Sequence, residues 1–86
     1  MKKVVDELFH PKRILALITL LNGETYYTEL ARRVNSSPNN LYNIIKLLKR
    51  MDLVETRREG RKMVIKLTDR GKVLANRLKE ALEVVL

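Results

Sequence analysis

The sequence lacks cysteine and tryptophan, and its 86 residues include one histidine, two prolines and three glycines. Without cysteine the chain forms neither disulfides nor thiolate metal sites, as is usual for cytosolic proteins, so we expect a cytoplasmic location. No apolar run reaches the roughly 18–20 residues of a membrane span, and the N-terminus does not resemble a signal peptide. His10 has no second ligand type nearby. A capping or surface role is therefore favoured for it, and we expect no metal or cofactor.

Negative charge and aromatic residues are also scarce. Eighteen Lys and Arg against ten Asp and Glu give a net charge of +8, and aromatic residues make up 5% of the chain. A core built from such a sequence must be mainly aliphatic, and a chain of this length forms one small domain. The charge excess favours a nucleic acid partner, with an anionic membrane surface as the second possibility.

The clearest helical pattern lies between Ser37 and Met51. Ser37 is a suitable N-cap and Pro38 a suitable first residue. The apolar side chains share one arc of the helix: Leu41, Ile44, Ile45 and Leu48, with Met51 at its edge. The opposite arc and its flanks carry amides, a phenol and cations but no carboxylate: Asn39, Asn40, Tyr42, Asn43, Lys46, Lys49 and Arg50. Cations can simply solubilise a helix, but charge of a single sign favours a polyanionic partner.

Three shorter segments precede this helix. Met1 to Phe9 has the spacing of an amphipathic helix, and Lys12 to Leu21 is apolar almost all round, which predicts a buried central helix. Glu24 to Tyr27 is predicted to be a short extended bridge. Thr28 to Val34 then forms a helix with Leu30, Ala31 and Val34 inward. A helix, a tight turn and a second helix with a polar outer face predict a helix-turn-helix.

The period changes from helical to alternating after Asp52. Leu53 to Arg58 and Lys62 to Leu67 are predicted strands, joined by a turn at 58–61 in which Gly60 supplies the positive φ. Met63, Ile65 and Leu67 point to one side, which predicts a half-buried strand. The tip of this hairpin is rich in cations: Arg57, Arg58, Arg61 and Lys62.

The last predicted helix follows Thr68 and has an apolar stripe wider than a small core needs. Its heptad seam runs along Gly71, Leu74, Leu78, Ala81 and Val85, and Ala75, Leu82 and Leu86 widen it. The helix can close the core of a monomer, but the excess favours a homodimer. We expect the interface to consist of Leu74, Leu78, Ala81, Leu82 and Val85, together with Val4, Val5 and Leu8 of the first helix.

Two stretches carry a resemblance to a known family: TELARRVNSSPNNLYNIIKLLKRMDLVETRREGRK, and LTDRG after it. They resemble the winged-helix transcription regulators of the MarR- and ArsR-like families. Leu67-Thr68 with Gly71 resembles the MarR-type exit from the wing, and the Arg-Arg-Glu-Gly-Arg tip resembles an ArsR-like wing. The match covers about Arg13 to Gly71.

The resemblance implies a mainly α fold with a small β-hairpin, a winged helix-turn-helix with a C-terminal dimerisation helix. In this single domain of residues 1–86, the N-terminal helix covers 1–10, the winged core 11–67 and the dimerisation helix 68–86. Asp52 replaces the usual glycine, so the helix exit must accept aspartate in a left-handed or bridge conformation. The MarR Asp-x-Arg signature, the paired cysteines of many ArsR-like sensors and the helices of the MarR effector pocket are absent. The resemblance thus implies a minimal dimeric regulator of the compact archaeal or viral type, with no small-molecule effector evident.

The leading functional hypothesis is sequence-specific binding to double-stranded DNA. Residues 37–46, including Ser37, Asn39, Asn40, Tyr42 and Asn43, would enter the major groove. The cationic side chains would contact backbone phosphates or the minor groove: Lys46, Lys49, Arg50, Arg57, Arg58, Arg61 and Lys62. Thr28 and Arg32 are weaker phosphate candidates.

Two alternatives remain open at this stage. A protein-interaction module would need an exposed apolar patch on the helix or wing, where the sequence places cations. An architectural DNA- or RNA-binding protein would contact the backbone only, and charge does not exclude it. An enzyme is disfavoured, because the polar face has no acid–base pair, no nucleophile beside a base and no glycine-rich phosphate loop.

Overall fold

The computed structural model describes all residues from Met1 to Leu86. Its helices follow the apolar periodicity of the sequence. The chain folds into five helices and one three-stranded antiparallel sheet, which confirms the mainly α winged-helix class. In chain order the elements are α1 (Lys2–Leu8), α2 (Pro11–Leu20), β1 (Thr25–Tyr26), α3 (Tyr27–Arg33), α4 (Pro38–Arg50), β2 (Val54–Glu59), β3 (Lys62–Leu67) and α5 (Asp69–Val85). Every helix is too short or too polar to cross a lipid bilayer.

The core is aliphatic, as the shortage of aromatic residues predicts. Sixteen buried apolar residues form one cluster, and no polar or charged residue is buried. The helix α2 contributes Ala16, Leu17 and Leu20, each at most 2% exposed, whereas Leu15 is 43% exposed. The predicted buried central helix is therefore buried on one side only, because its other side reaches solvent.

The helix α4 has the predicted start and the predicted apolar arc. The Ser37 hydroxyl accepts a hydrogen bond from the Asn40 N–H at 3.2 Å, and Pro38 occupies the first helical position. The four predicted inward residues are all buried, and Leu47 is buried beside them. The opposite face is left to solvent along the whole helix.

The sheet contains one strand more than predicted. β1 pairs antiparallel with β3, with Thr25 opposite Ile65 and Tyr26 opposite Val64, so that the strand order is β1-β3-β2. The extended bridge before α3 is thus a strand in its own right. An isolated two-stranded hairpin is marginally stable in water, and β1 gives β3 a partner on its second edge.

The hairpin turn lies one residue later than predicted. Glu59 pairs with Lys62, which leaves Gly60 and Arg61 as the two loop residues. Gly60 has φ 65°, as predicted, whereas Arg61 is not among the residues with positive φ. A positive φ at the first loop position alone is typical of a type II′ turn, whose twist matches that of the flanking strands.

Both faces of β3 are partly covered. Ile65 and Leu67 join the core cluster, as predicted for the side that faces the helices. Val64 points to the opposite face but is only 3% exposed. Its cross-strand neighbours are Tyr26 and Arg57. The prediction of a half-buried strand therefore missed the cover on the outer face.

Asp52 follows α4 in the left-handed conformation, one of the two that the family resemblance implied. Its φ is 59°. The Asp52 N–H donates to the Lys49 carbonyl, and the Leu53 N–H donates to the Leu48 carbonyl, each at 2.9 Å. These bonds occupy the carbonyls left open at a helix C-terminus. Aspartate tolerates this conformation better than most residues other than glycine, since its short polar side chain bonds locally.

The exit from α4 is joined to the start of α5. The Thr68 hydroxyl donates to the Asp52 carbonyl at 2.7 Å and accepts from the Gly71 N–H at 3.0 Å. The Thr68 N–H donates to the Leu53 carbonyl at 3.1 Å. Thr68 therefore caps α5, as predicted. It also hydrogen-bonds to Asp52 and Leu53, which precede the wing strands.

The apolar stripe of α5 is only half covered within one chain. Gly71 and Ala75 are buried, and Leu74 and Leu78 are partly buried against the core. Beyond them the stripe emerges, with Leu82 42% exposed and Val85 78% exposed. The apolar face of α1 is likewise only partly covered by its own chain.

Leu8 corrects the expected interface. It is 5% exposed and belongs to the core cluster of the chain, so it is not available to a partner. Val4 and Val5, by contrast, are 50% and 43% exposed. Of the residues expected at the interface, Val4, Val5 and those of α5 after Leu78 are therefore the ones that the chain leaves exposed.

Gly71→Ala should destabilise the fold although alanine normally favours helices. A Cβ at this position would lie 1.9 Å from the Leu53 carbonyl oxygen, which is backbone and cannot rotate away. An alanine in a helix interior gains about 1 kcal/mol over glycine, whereas overpacking costs about 1–3 kcal/mol or more. We expect a net loss in urea unfolding, with Lys72→Ala within about 0.5 kcal/mol of the parent as the exposed control. A stabilised Gly71→Ala variant would contradict the close contact.

Candidate nucleic-acid interface

A groove of about 480 Å³ runs between the outer face of α4 and the wing, which we define as residues 54–67. Its walls are Tyr26, Tyr27, Thr28, Tyr42, Ile45, Lys46, Lys49, Thr56, Arg58, Arg61, Lys62 and Met63. Five of these residues are Lys or Arg and none is Asp or Glu. We refer to it as the α4–wing groove. Its positive potential is therefore not cancelled from within.

The amides predicted to contact bases lie on the exposed side of α4. Asn39, Asn40 and Asn43 are exposed, and Tyr42 between them is 60% exposed. Of these four, the groove walls include Tyr42. The three asparagines therefore occupy the open surface of the first turns, free of the wing.

Ser37 and the α3 candidates have less freedom than the sequence suggested. The Ser37 hydroxyl already caps α4, and the Arg32 guanidinium lies 2.5 Å from the Glu29 carboxylate. Hydrogen bonds from Arg32 and Arg33 lower the pKa of Glu29. The bond between Arg32 and Glu29 also raises the pKa of Arg32. Thr28 is exposed and lines the groove, whereas Arg32 does not.

The cations of α4 separate into two groups. Lys46 and Lys49 line the groove, and the Lys49 ammonium donates to the Thr56 hydroxyl of β2 at 3.2 Å. Arg50 is not part of the groove, and its guanidinium lies 3.6 Å from Glu7 of α1. The structure therefore brings Lys46 and Lys49 to the wing, whereas Arg50, the residue after Lys49, lies on the side of α4 that faces α1.

The cations of the wing also separate, because neighbouring residues of a strand face opposite sides. Arg58, Arg61 and Lys62 line the α4–wing groove. The Arg57 guanidinium instead contacts the Glu24 carboxylate at 2.5 and 3.1 Å and Glu59 at 3.0 Å. The bond from Arg57 lowers the pKa of Glu24, and it raises the pKa of Arg57 above its ordinary value.

Two tyrosines of the groove were not among the predicted site residues. The Tyr27 hydroxyl donates to the Pro38 carbonyl at the start of α4. The Lys62 ammonium lies 4.6 Å from the centre of the Tyr26 ring, a cation–π contact. The pair Tyr26-Tyr27 directly before the helix-turn-helix was the available signal, since two adjacent aromatics are unusual in a chain with so few.

The chemistry available in the groove is that of a polyanion site. It offers ammonium and guanidinium groups, phenols and amides, and these donate to phosphate oxygens and base edges. No group of three or more His, Cys, Asp or Glu side chains is placed to hold a metal ion. The single histidine bonds through its ring nitrogen to the Asp6 carbonyl at 2.6 Å, on the end of α1.

Comparison with known proteins finds chains of similar sequence and structure, although no family model matches the sequence. A protein of Archaeoglobus fulgidus is 32% identical over 83 residues, which cover 91% of this chain and 87% of that protein. The transcriptional regulator homologue of Pyrococcus horikoshii superposes with a TM-score of 0.81 at 27% identity, over 98% of this chain and 90% of that one. The chain has the MarR/ArsR-like winged-helix architecture of these transcriptional regulators.

A MarR family regulator of Silicibacter pomeroyi shows how this winged helix compares with a larger member. It has a TM-score of 0.81 at 19% identity, and the match covers 96% of this chain but 61% of that one. This likeness concerns the fold alone. Both the relative from Archaeoglobus and the structure from Pyrococcus come from archaea, in agreement with the expected compact archaeal type.

The phenol of Tyr27 provides a test of the packing between α3 and α4. Burial, and then the nearby Tyr42, raise the pKa of Tyr27 above the ordinary value for tyrosine. Because the folded state holds this proton more tightly than the unfolded state, folding stability should fall as the pH rises through the tyrosine range. NMR of the Tyr27 ring carbons should give a higher midpoint in folded than in urea-unfolded protein. Equal midpoints would contradict this environment.

Proposed function

We propose that this winged-helix regulator binds double-stranded DNA sequence-specifically as a homodimer in the cytoplasm and controls transcription there. The observation that carries the proposal is the α4–wing groove, in which five cations and no carboxylate face the same space. A surface of one sign attracts the phosphate backbone, and its position beside a helix with free amides adds the means to distinguish bases. Enzymatic activity forms no part of this proposal.

Sequence recognition would come from the first turns of α4. Asn39, Asn43 and Tyr42 project from them without an intramolecular partner for their side chains among the hydrogen bonds of the structure. Asparagine can bond bidentately to adenine in the major groove, and a recognition helix presents its N-terminal half to base edges. The Ser37 hydroxyl contributes by capping this end of the helix.

The backbone would be held by the five groove cations: Lys46, Lys49, Arg58, Arg61 and Lys62. Lys49 hydrogen-bonds to Thr56 of β2 and so connects the two walls of the groove. Thr28 is a further phosphate candidate on the groove wall. Arg32, Arg50 and Arg57 have carboxylate partners in the free protein, and we place them outside the first set of DNA contacts.

The homodimer is supported by exposed apolar surface that the chain itself does not cover. It consists of Val4, Val5, Ala81, Leu82 and Val85, at the N-terminal helix and the end of α5. Leu74 and Leu78 lie next to it and are partly buried by their own chain. A dimer through this surface would present two copies of α4 to half-sites about 10–10.5 base pairs apart, or a multiple of that.

Asn43→Ala and Arg61→Ala should affect DNA binding in different ways. On a duplex that the protein itself selects from a random pool, Asn43→Ala should cost about 1–3 kcal/mol, with little change on random duplex. Arg61→Ala should weaken both nearly equally and make the salt slope shallower by about one unit per lost phosphate contact. Fluorescence anisotropy at several salt concentrations measures both effects.

The combined alanine variant at Asn39, Tyr42 and Asn43 provides the decisive control for sequence recognition. All three side chains are exposed, so the variant should unfold within about 0.5 kcal/mol of the parent per substitution. If it loses the same factor on selected and random duplex, α4 does not recognise sequence. Backbone-only, architectural binding would then be the better description.

Leu82→Glu combined with Val85→Glu should convert the dimer to a monomer without unfolding it, because both side chains are exposed in the single chain. A buried charge at a subunit interface is strongly unfavourable. Val84→Glu is the matched control, since Val84 is 85% exposed and lies off the apolar stripe. Light scattering at micromolar concentration should give twice the chain mass for the parent and the control. A parent protein with the mass of a single chain would refute the dimer.

A further inference from the structure

The outer face of the sheet, turned away from α4, carries a connected set of charges. Arg57 of β2 bonds to Glu24, which directly precedes β1, with both carboxylate oxygens accepting at 2.5 and 3.1 Å. The same guanidinium bonds to Glu59 near the tip of the wing at 3.0 Å. Arg57 thus joins the two outer strands of the sheet across β3, which lies between them.

The residues around this guanidinium extend the connection. The Tyr26 hydroxyl donates to the Glu59 carboxylate at 3.4 Å, and Lys62 stands over the Tyr26 ring. Val64 of β3 lies beneath these side chains and is only 3% exposed. Tyr26, Val64 and Arg57 are direct cross-strand neighbours, so the charged groups form a lid on a buried apolar side chain.

Arg57 is therefore poorly placed to bind a phosphate of DNA in the α4–wing groove. Arg58 lines that groove, and alternation along the strand directs Arg57 to the other face. To reach DNA, Arg57 would have to give up a bidentate bond and a second carboxylate. Charge-assisted bidentate pairs of this kind are the stronger and more directional class of hydrogen bond.

We propose that Arg57 is a positioning residue, which ties the wing to β1 so that Arg58 and Arg61 face α4, and that it does not itself contact DNA. This inference rests on the proposed function for its consequence in DNA binding. Its structural half concerns the free protein alone. Glu24 is the partner that anchors Arg57, and Glu59 extends the connection to the wing tip.

The contacts to Glu24 and Glu59 require the planar guanidinium of arginine. A guanidinium donates to two carboxylates in fixed directions, whereas a lysine ammonium is a compact point charge that serves phosphates but cannot reproduce a bidentate fork. Replacing arginine by lysine keeps the net charge of +8 and so leaves the long-range field unchanged. Arg57→Lys and Arg61→Lys therefore separate positioning from phosphate binding.

The first measurement is amide hydrogen exchange of the free protein over β1 and β3. Arg57→Lys should speed exchange of the amides that hydrogen-bond β1 to β3 by about two- to fivefold, the range for an exposed pair with good geometry. Arg61→Lys, which has no carboxylate partner to lose, should leave these rates unchanged. The thermal midpoint should fall by only a few degrees in Arg57→Lys and stay the same in Arg61→Lys.

The second measurement is binding to a duplex selected by the protein, across a series of salt concentrations. Arg57→Lys should weaken binding about two- to fivefold with an unchanged salt slope. Arg61→Lys should lose less, because a lysine ammonium still binds a phosphate as a point charge. Glu24→Gln should also weaken binding, although it removes a negative charge. Its control is Glu55→Gln, which removes a carboxylate of the same face that pairs with Lys66 at 3.3 Å and should not weaken binding.

The outcomes are distinguishable. A phosphate contact would show Arg57→Lys binding like the parent, Glu24→Gln binding more tightly, and Arg57→Gln with a slope shallower by about one unit; that result overturns the proposal. Unchanged exchange in Arg57→Lys would also overturn it, whatever the binding data show. If the parent protein binds no duplex at all, the proposed function fails, and the exchange experiment still decides whether Arg57 holds the wing.

Discussion

The contact between Leu53 and the start of α5 is the constraint on which the rest of the site depends. The Leu53 carbonyl accepts from the Thr68 N–H and lies against Gly71, where a Cβ would approach it to 1.9 Å. Leu53 follows the left-handed Asp52 at the exit of α4 and directly precedes β2. Fixing this one peptide therefore fixes the direction in which the wing leaves α4, and it also places α5 with its apolar stripe.

The wing then divides its charges between two faces, a division that strand alternation makes unavoidable. Cations on the face toward α4 remain without carboxylates and surround the α4–wing groove. On the other face carboxylates accompany the cations: Arg57 pairs with Glu24 and Glu59, and Lys66 pairs with Glu55. The same strand thus supplies a surface for a polyanion and a self-neutralised lid over the sheet. A count of arginines in the tip cannot separate these two roles.

Local sequence patterns were sufficient to predict the helices, the cap at Ser37 and the polar face of α4, because each depends on residues close in sequence. The left-handed Asp52 was one of two conformations that the family resemblance implied. Local patterns were insufficient for β1, a strand of two residues whose partner lies about forty positions later in the chain. For the same reason the partners of Arg57 and Arg50 were missed, since Glu24 and Glu7 approach them only after folding. Leu8 was assigned to the dimer surface because an apolar stripe does not reveal whether its own chain or a second chain covers it.

Which surface meets DNA can be measured directly by following backbone amide NMR signals of isotope-labelled protein during titration with a duplex selected by the protein. The largest changes should fall on residues 39–46 of α4 and on residues 58–62 of the wing, the two walls of the α4–wing groove. Amides around Glu24 and Glu55, on the outer face of the sheet, should change little. Changes concentrated on that outer face, or on α5 with α4 unaffected, would contradict the account.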